Sequence, residues 1–149
     1  MSKKGGAAVA GLLRMTVPAG KASPQPPIGP ALGQRGVNIM DFCKQFNERT
    51  KMLQPETPVP VVLKVNPKDR TFSFITTNPP TSYFLKRAAG IPQGASTHRD
   101  NVGTVTLRQV YEIAKIKQQD SPLAHISLEK VCASVVGSAR SMGIRVVKE

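Results

Sequence analysis

The first half of the chain begins with alternating apolar and polar positions, the pattern of a half-buried β-strand. This alternation runs over residues 11–17 and stops at Pro18. The next apolar positions recur at intervals of three and four, which predicts an amphipathic helix with Asn38 as its N-cap. These positions are Ile39, Phe42, Cys43 and Phe46.

Two further alternating runs, residues 59–65 and 71–76, flank a turn that begins with Asn66. They predict a β-hairpin. Pro58 and Pro60 place the first of these strands at a sheet edge, because proline donates no backbone hydrogen bond. The expected fold of residues 1–76 is therefore an α+β domain of three strands and one helix.

Residues 77–80 form the predicted linker, since consecutive prolines hold the chain extended. Residues 81–149 are predicted to be helical, apart from a long polar loop from Ile91 to Gly103. A short helix ends at Gly90, a second begins with a capping box formed by Thr106 and Gln109, and a third runs from Ser127 to Gly143. The apolar stripe of the second helix is predicted to be Leu107, Val110, Tyr111 and Ala114. We expect a compact, all-helical second domain.

Residues 23–38 combine four prolines with three glycines, which predicts a stiff, exposed loop. Such a loop loses little entropy on binding and suits presentation to a partner. The alternative is a structural turn between a strand and a helix. The prolines are Pro24, Pro26, Pro27 and Pro30.

The net charge of the chain indicates the class of its partner. Of 149 residues, 21 are Lys or Arg and nine are Asp or Glu, a net charge of +12, which favours a polyanion such as nucleic acid. No apolar run is long enough to span a membrane. Cys43 and Cys132 each fall within an apolar helical pattern, which predicts buried free thiols in a reducing compartment.

The sequence offers no constellation for catalysis. The acidic residues are scattered, and neither histidine nor cysteine has the spacing of a zinc site. The glycines near Gly33 lack the Lys-Ser/Thr pair of a phosphate-binding P-loop. We therefore predict no enzyme, no metal, no cofactor and no small-molecule substrate.

The last predicted helix carries a run of small residues beside a cation. Gly137 interrupts its stripe at a cost of roughly 1 kcal/mol relative to alanine, which leaves two explanations. Either a nucleic-acid backbone approaches closely here, or a neighbouring helix packs tightly against the glycine. The run is Gly137, Ser138, Ala139, Arg140, Ser141, Met142 and Gly143. Further candidates on the same surface are Lys86, Arg87 and the loop Gly94, Ala95, Ser96, Thr97, His98 and Arg99, for which the alternative is a solvated basic face.

Three motifs in order along nearly the whole chain resemble ribosomal protein number eleven of the large subunit, the stalk-base protein. They are the segment 26–43, the run Leu85-Lys86-Arg87-Ala88-Ala89-Gly90, and the run 137–143. The resemblance implies a two-domain, non-enzymatic scaffold. Its helical domain would bind the GTPase-associated region of large-subunit ribosomal RNA through the candidates above.

The resemblance also implies protein partners, namely neighbouring stalk proteins and the translational GTPases. Pro24, Pro26, Pro27 and Pro30 would face the factors and thiostrepton-type antibiotics. A non-ribosomal RNA-binding regulator with the same basic surface is the alternative function.

Several residues resemble mitochondrial members more than bacterial ones, namely Arg35, the run 83–85 and the tail 144–148. A mitochondrial location is therefore favoured over the bacterial cytoplasm or a plastid. Residues 1–15 contain Lys3, Lys4 and Arg14 and no acid, which fits either a targeting segment or a basic arm.

Overall fold

The computed structural model describes residues 11–66 and 68–149. The interpretation of residues 1–15 as a targeting segment or a basic arm falls mostly on residues 1–10, which lie outside the described residues. The chain divides into two compact units, one ending at Thr77 and the other running from Asn78 to Glu149. Each unit has its own hydrophobic core.

The first unit is built on an antiparallel three-stranded sheet in the order β1-β2-β3. Its strands are β1 (Gly11–Pro18), β2 (Pro58–Asn66) and β3 (Thr71–Thr76). The predicted strands and hairpin are confirmed. The edge position predicted for β2 is wrong, because β2 is the central strand.

The prolines are compatible with a central strand because of the direction in which their backbone nitrogens point. The carbonyl oxygen of Pro60 accepts from the amide of Thr77, one residue beyond the end of β3. Pro60 and Pro58, two residues apart, therefore turn their backbone nitrogens towards the β3 side of β2, at the level where β3 has ended. Their missing N–H groups remove no hydrogen bond from the pairing between β2 and β1.

The Pro/Gly segment is not a loop throughout, which corrects the prediction. A short helix, α1 (Ile28–Gly33), forms within it, and the side chains of Ile28 and Leu32 are buried. After it comes α2 (Ile39–Arg49), whose N-cap Asn38 accepts from the amide of Met40 as predicted. The core between these helices and the sheet contains Val17, Leu32, Phe42, Phe46, Val61, Leu63 and Phe74 among others.

The second unit is not all-helical, which corrects the second part of the predicted fold. Two four-residue strands, β4 and β5, pair in parallel through the residue pairs Gly103–Ile144 to Thr106–Val147. The elements are α3 (Thr81–Ala89), β4 (Gly103–Thr106), α4 (Leu107–Gln118), α5 (Leu128–Ser141) and β5 (Ile144–Val147). The coarser α+β assignment is confirmed.

Local signals position these helices. The capping box before α4 is complete, with Thr106 N donating to Gln109 Oε1 at 2.9 Å and Gln109 N donating to Thr106 Oγ1 at 3.3 Å. Gly90 ends α3 in the left-handed region with a φ of 69°. Ser127 occupies the N-cap of α5 without a side-chain cap hydrogen bond. The core contains Leu85, Val105, Val110, Ile113, Ala114, Val131, Val135, Ala139 and Ile144.

A buried ion pair ties the start of the second unit to α4. Lys117 Nζ lies 2.6 Å from Asp120 Oδ2, and the two side chains are 13% and 8% exposed. Asp120 Oδ1 accepts from the amide of Asn78, and Lys117 donates to the carbonyl oxygens of Asn78 and Pro79. The Lys117 ammonium and the Asp120 carboxylate therefore both have hydrogen-bond partners at the start of the predicted linker.

Both cysteines are free thiols, as predicted. Cys43 is buried, and burial raises the pKa of its thiol. Cys132 is only half-buried. Among residues 11–66 and 68–149, no helix is long and apolar enough to cross a membrane, and no cluster of ligating side chains suits a metal ion.

Candidate RNA interface

The segment between α3 and β4 docks onto the C-terminal end of α5. The amide of Ala95 donates to the carbonyl oxygen of Met142 at 2.9 Å, and the amide of Val102 donates to that of Gly143 at the same distance. These two backbone hydrogen bonds hold residues 95–102 against the helix end. The predicted small-residue run and the predicted loop are therefore brought together.

Gly143 makes this docking possible. It has a φ of 71°, which L side chains rarely adopt, and a Cβ at this position would overlap the carbonyl oxygen of Asp100 and crowd the methyl group of Ala95. Gly143 is itself buried. The glycine thus serves to end the helix and to admit the segment that forms the opposite wall of the site.

Two grooves open between the docked segment and the helix end. One has a volume of about 370 Å³ and is lined by His98, Arg99, Asp100, Asn101, Arg140, Gly143, Ile144 and Arg145. The other has a volume of about 660 Å³ and is lined by Ser96, Thr97, His98, Gly137, Arg140 and Ser141. His98 and Arg140 line both grooves, which are therefore adjacent.

The first groove is strongly cationic. Arg99, Arg140 and Arg145 line it, and Asp100 is its one carboxylate among the lining residues. One oxygen of that carboxylate already accepts a hydrogen bond, since Thr97 Oγ1 donates to Asp100 Oδ2 at 2.8 Å. An excess of guanidinium groups in an open groove suits phosphate oxygens, which arginine can bind through two parallel hydrogen bonds.

The second groove is lined by hydroxyl groups around an open glycine. Gly137 is exposed, and a Cβ at this position would meet no atom within 4 Å. Among the described residues, no neighbouring element packs against Gly137, so tight helix packing does not explain this glycine. The close approach of a nucleic-acid backbone to Gly137 stays a prediction.

The serines near this glycine present acceptors. Ser138 Oγ donates to the carbonyl oxygen of Ser134 at 3.1 Å, and Ser141 Oγ donates to that of Ser138 at 2.7 Å. Since their protons are used within the helix, their oxygen lone pairs are the groups left for a ligand. Ribose 2′-hydroxyls donate to such oxygens.

Some candidates do not reach these grooves. Arg87 donates to the hydroxyl of Tyr83 at 3.0 Å and lines a separate groove with Arg108, between α3 and α4. Lys86, also on α3, lines neither groove beside Arg140. Ala139 is fully buried in the core.

Met142 and Gly94 line neither groove. The Met142 side chain packs against the core. A Cβ on Gly94 would lie 3.5 Å from the Met142 carbonyl oxygen, an ordinary contact distance.

The proline segment of the first unit forms a second candidate surface. Pro24, Pro26, Pro27 and Pro30 are all exposed. The peptide bond between Pro26 and Pro27 is cis. Gly29 fits closely under the turn, because a Cβ there would overlap the carbonyl oxygen of Pro24.

Side chains of α2 and of Thr50, the residue after it, form hydrogen bonds with the backbone just before this segment. Asn47 accepts from the amide of Ala22 at 3.0 Å and donates to its carbonyl oxygen at 3.3 Å. Thr50, which is buried, accepts from the amide of Gly20 at 3.1 Å. Nearby, the Lys21 ammonium donates to the Glu56 carboxylate and lowers its pKa. The backbone that leads into the exposed prolines is therefore fixed to α2 and Thr50 by hydrogen bonds.

Comparison with known proteins places both units in one family. Residues 77–146 match the family model described as "Ribosomal protein L11, RNA binding domain", and residues 13–72 match "Ribosomal protein L11, N-terminal domain". The chain belongs to the ribosomal protein L11 family. It is also 47% identical over 137 residues to the large ribosomal subunit protein uL11m of Schizosaccharomyces pombe, covering 91% of this chain and 94% of that protein.

Membership of the L11 family confirms the function predicted from the motifs. The chain is a structural constituent of the large ribosomal subunit that binds ribosomal RNA, and it is not an enzyme. The similarity to uL11m confirms the favoured mitochondrial location. The alternative of a non-ribosomal regulator is set aside by the same matches.

Four residues of the arginine-rich groove were not among the candidates. They are Asp100, Asn101, Ile144 and Arg145. Arg145 is exposed on β5, between Ile144 and Val146 of the core. The alternation over 144–147 was the signal that could have found it, since it turns Arg145 away from the core.

Proposed function

We propose that the second unit binds the GTPase-associated region of large-subunit ribosomal RNA at the stalk base. The observation that carries this proposal is the pair of grooves sharing His98 and Arg140. Arginines in one groove suit backbone phosphates. An uncovered glycine and hydroxyl oxygens in the other suit ribose.

The two units allow a direct test. Residues 78–149 have their own core, so this fragment can be compared with residues 1–77 and with the full chain. A transcript of the GTPase-associated region serves as ligand, and a transcript of the same composition in scrambled order serves as control. We expect the fragment 78–149 to bind the first transcript with the affinity of the full chain. Equal binding by residues 1–77, or equal affinity for the scrambled transcript, would contradict the proposal.

The proline segment is assigned a different task, contact with the translational GTPases beside neighbouring stalk proteins. Its support is that Pro24, Pro26, Pro27 and Pro30 are exposed while Ile28 and Leu32 anchor the same segment in the core. Exposed prolines on a fixed base lose little conformational entropy on contact. Thiostrepton-type antibiotics would meet the same surface.

This second assignment can be tested in reconstituted large subunits. Pro30→Ala removes an exposed ring and should lower factor-dependent GTP hydrolysis without changing incorporation of the protein into the subunit. Pro92→Ala, an exposed proline of the second unit, is the matched control. Equal rates for both variants and the unmodified protein would argue against the assignment.

A further inference from the structure

The three-stranded sheet of the first unit has a second face, opposite the one that packs on α1 and α2. Side chains alternate between the two faces of a strand. Val17, Val61 and Phe74 share the buried core with residues of both helices, so they mark the inner face. The outer sheet face consists of the even-numbered residues of β1 and β2 and the odd-numbered residues of β3.

An apolar band crosses this outer sheet face. Val62 lies opposite Ile75 on β3, and Leu12 on β1 lies diagonally from Val62, because Leu12 pairs with Lys64. Leu12 is 47% exposed and Ile75 is 58% exposed, and Val62 is half-buried. A sheet face that meets only water usually carries polar residues. Single exposed apolar residues are common, but a band that continues across three strands indicates a contact surface.

The charged groups on the outer sheet face are all positive. Arg14 pairs with Val62 and Lys64 pairs with Leu12, and both cations are exposed. Within the described part of the chain, neither cation forms an ion pair, and no position of this face is acidic. Solvated sheet faces commonly set opposite charges across neighbouring strands. Cations beside an apolar band are complementary to a partner that carries both apolar side chains and carboxylates.

We propose that the outer sheet face binds an amphipathic helix of a partner protein whose polar side is acidic. Three strands spaced about 4.8 Å apart span about 10 Å, which is the width of one helix. RNA would leave the apolar band without a partner. A second copy of this chain, with its net charge of +12, would bring cations against cations.

The size of the surface indicates the kind of contact. One helix on three short strands buries much less than the roughly 1,200 Å² of a stable interface, so the partner should bind weakly and reversibly. The surface belongs to the first unit and lies on the sheet face opposite α1. The inference therefore does not depend on the RNA contact proposed for the second unit.

Photo-crosslinking from the apolar band identifies the partner. Ile75 is replaced by p-benzoylphenylalanine in the full chain, which is incorporated into large subunits, mixed with soluble mitochondrial proteins and irradiated. The same replacement of Met52, which is 96% exposed in the same unit, is the matched control. We expect position 75, but not position 52, to cross-link to a protein segment with apolar residues at helical spacing and an excess of Asp and Glu.

The cross-linked segment, made as a synthetic peptide, is then the probe in a binding assay with the full chain. Ile75→Thr keeps the β-branched side chain that strands favour and should lower the affinity about threefold to tenfold. Arg14→Gln should lower the affinity at low salt and weaken its salt dependence. Met52→Thr and Lys44→Gln, which change an exposed apolar residue and an exposed cation outside this face, should leave the affinity unchanged.

Each other outcome overturns the proposal. A cross-link from position 75 to RNA would assign the outer sheet face to nucleic acid, and a cross-link to a second copy of the chain would assign it to self-association. A basic or wholly polar protein segment would contradict the charge argument. Absence of any cross-link specific to position 75 would show that the face is solvated, and a peptide that binds both variants normally would show that the cross-link reports proximity alone.

Discussion

Gly143 lies directly against the backbone carbonyl of Asp100, so closely that any side chain at position 143 would overlap the oxygen. This contact joins the end of α5 to the segment that forms the other wall of the candidate RNA interface. The glycine six residues earlier, Gly137, has no neighbour that a Cβ would meet. Two glycines of one helix end therefore have different roles, and substitution by alanine distinguishes them.

Gly143→Ala should destabilise the second unit. The left-handed backbone alone costs a non-glycine residue roughly 1–2 kcal/mol, and the clash with Asp100 adds a typical overpacking cost of about 1–3 kcal/mol. Thermal melts followed by tyrosine fluorescence report this unit, because both tyrosines, Tyr83 and Tyr111, belong to it. An unchanged melting temperature would show that the docked segment moves away freely.

Gly137→Ala should have the opposite effect on stability. Alanine is the better helix former by roughly 1 kcal/mol, and the added methyl group meets open space. RNA affinity, measured well below the melting range, should fall by about tenfold, or ~1.4 kcal/mol, if the backbone approaches this surface. A stabilised variant that binds RNA normally would remove Gly137 from the interface.

Arg140→Ala should reduce the salt dependence of RNA binding. A side chain that contacts one phosphate contributes roughly 0.7–0.9 to the slope of log affinity against log salt concentration. Arg108→Ala is the control, since Arg108 is exposed on α4 and lines a groove without Arg140. Equal slopes for the two variants would indicate that Arg140 has a structural role or belongs to a diffuse basic surface.

Local patterns predicted most helices and strands of this fold. The capping box at Thr106 and Gln109 is determined by residues three apart, and both of its hydrogen bonds are present. Not every member of a stripe reaches the core, however. Leu107 and Tyr111 were assigned to the buried face of α4 but are 46% and 44% exposed, while Ile113 is buried. A helical period fixes a face but not how much of that face a neighbouring element covers.

Non-local pairing explains the larger errors. β4 and β5 have four residues each and pair across two intervening helices, so no local pattern predicts that they lie side by side. The edge position predicted for β2 failed for a related reason. Whether a proline in a strand breaks the sheet depends on where the neighbouring strand ends, and Pro60 lies beside the end of β3.

The candidate site was predictable as a set of residues but not as a geometry. The motif run 137–143 and the loop around Ser96 were both identified, and two backbone hydrogen bonds from Ala95 and Val102 bring them together. Nothing in residue spacing distinguishes the open Gly137 from the crowded Gly143. That distinction depends on which backbone lies opposite each glycine.

The ion pair between Lys117 and Asp120 provides the last prediction, because it was invisible in the sequence among ordinary surface charges. Asp120→Asn keeps the shape of the side chain but leaves the largely buried ammonium of Lys117 without its counter-ion, which should cost about 3 kcal/mol. Glu112→Gln is the matched control. It breaks another pair at three-residue spacing, with Lys115 at 3.4 Å, but both of those side chains are exposed, so the cost should stay below about 1 kcal/mol. Urea denaturation followed by tyrosine fluorescence measures both variants. Equal and small losses would mean that water reaches Lys117 readily, and that the hydrogen bonds to Asn78 and Pro79 suffice to hold the start of the second unit.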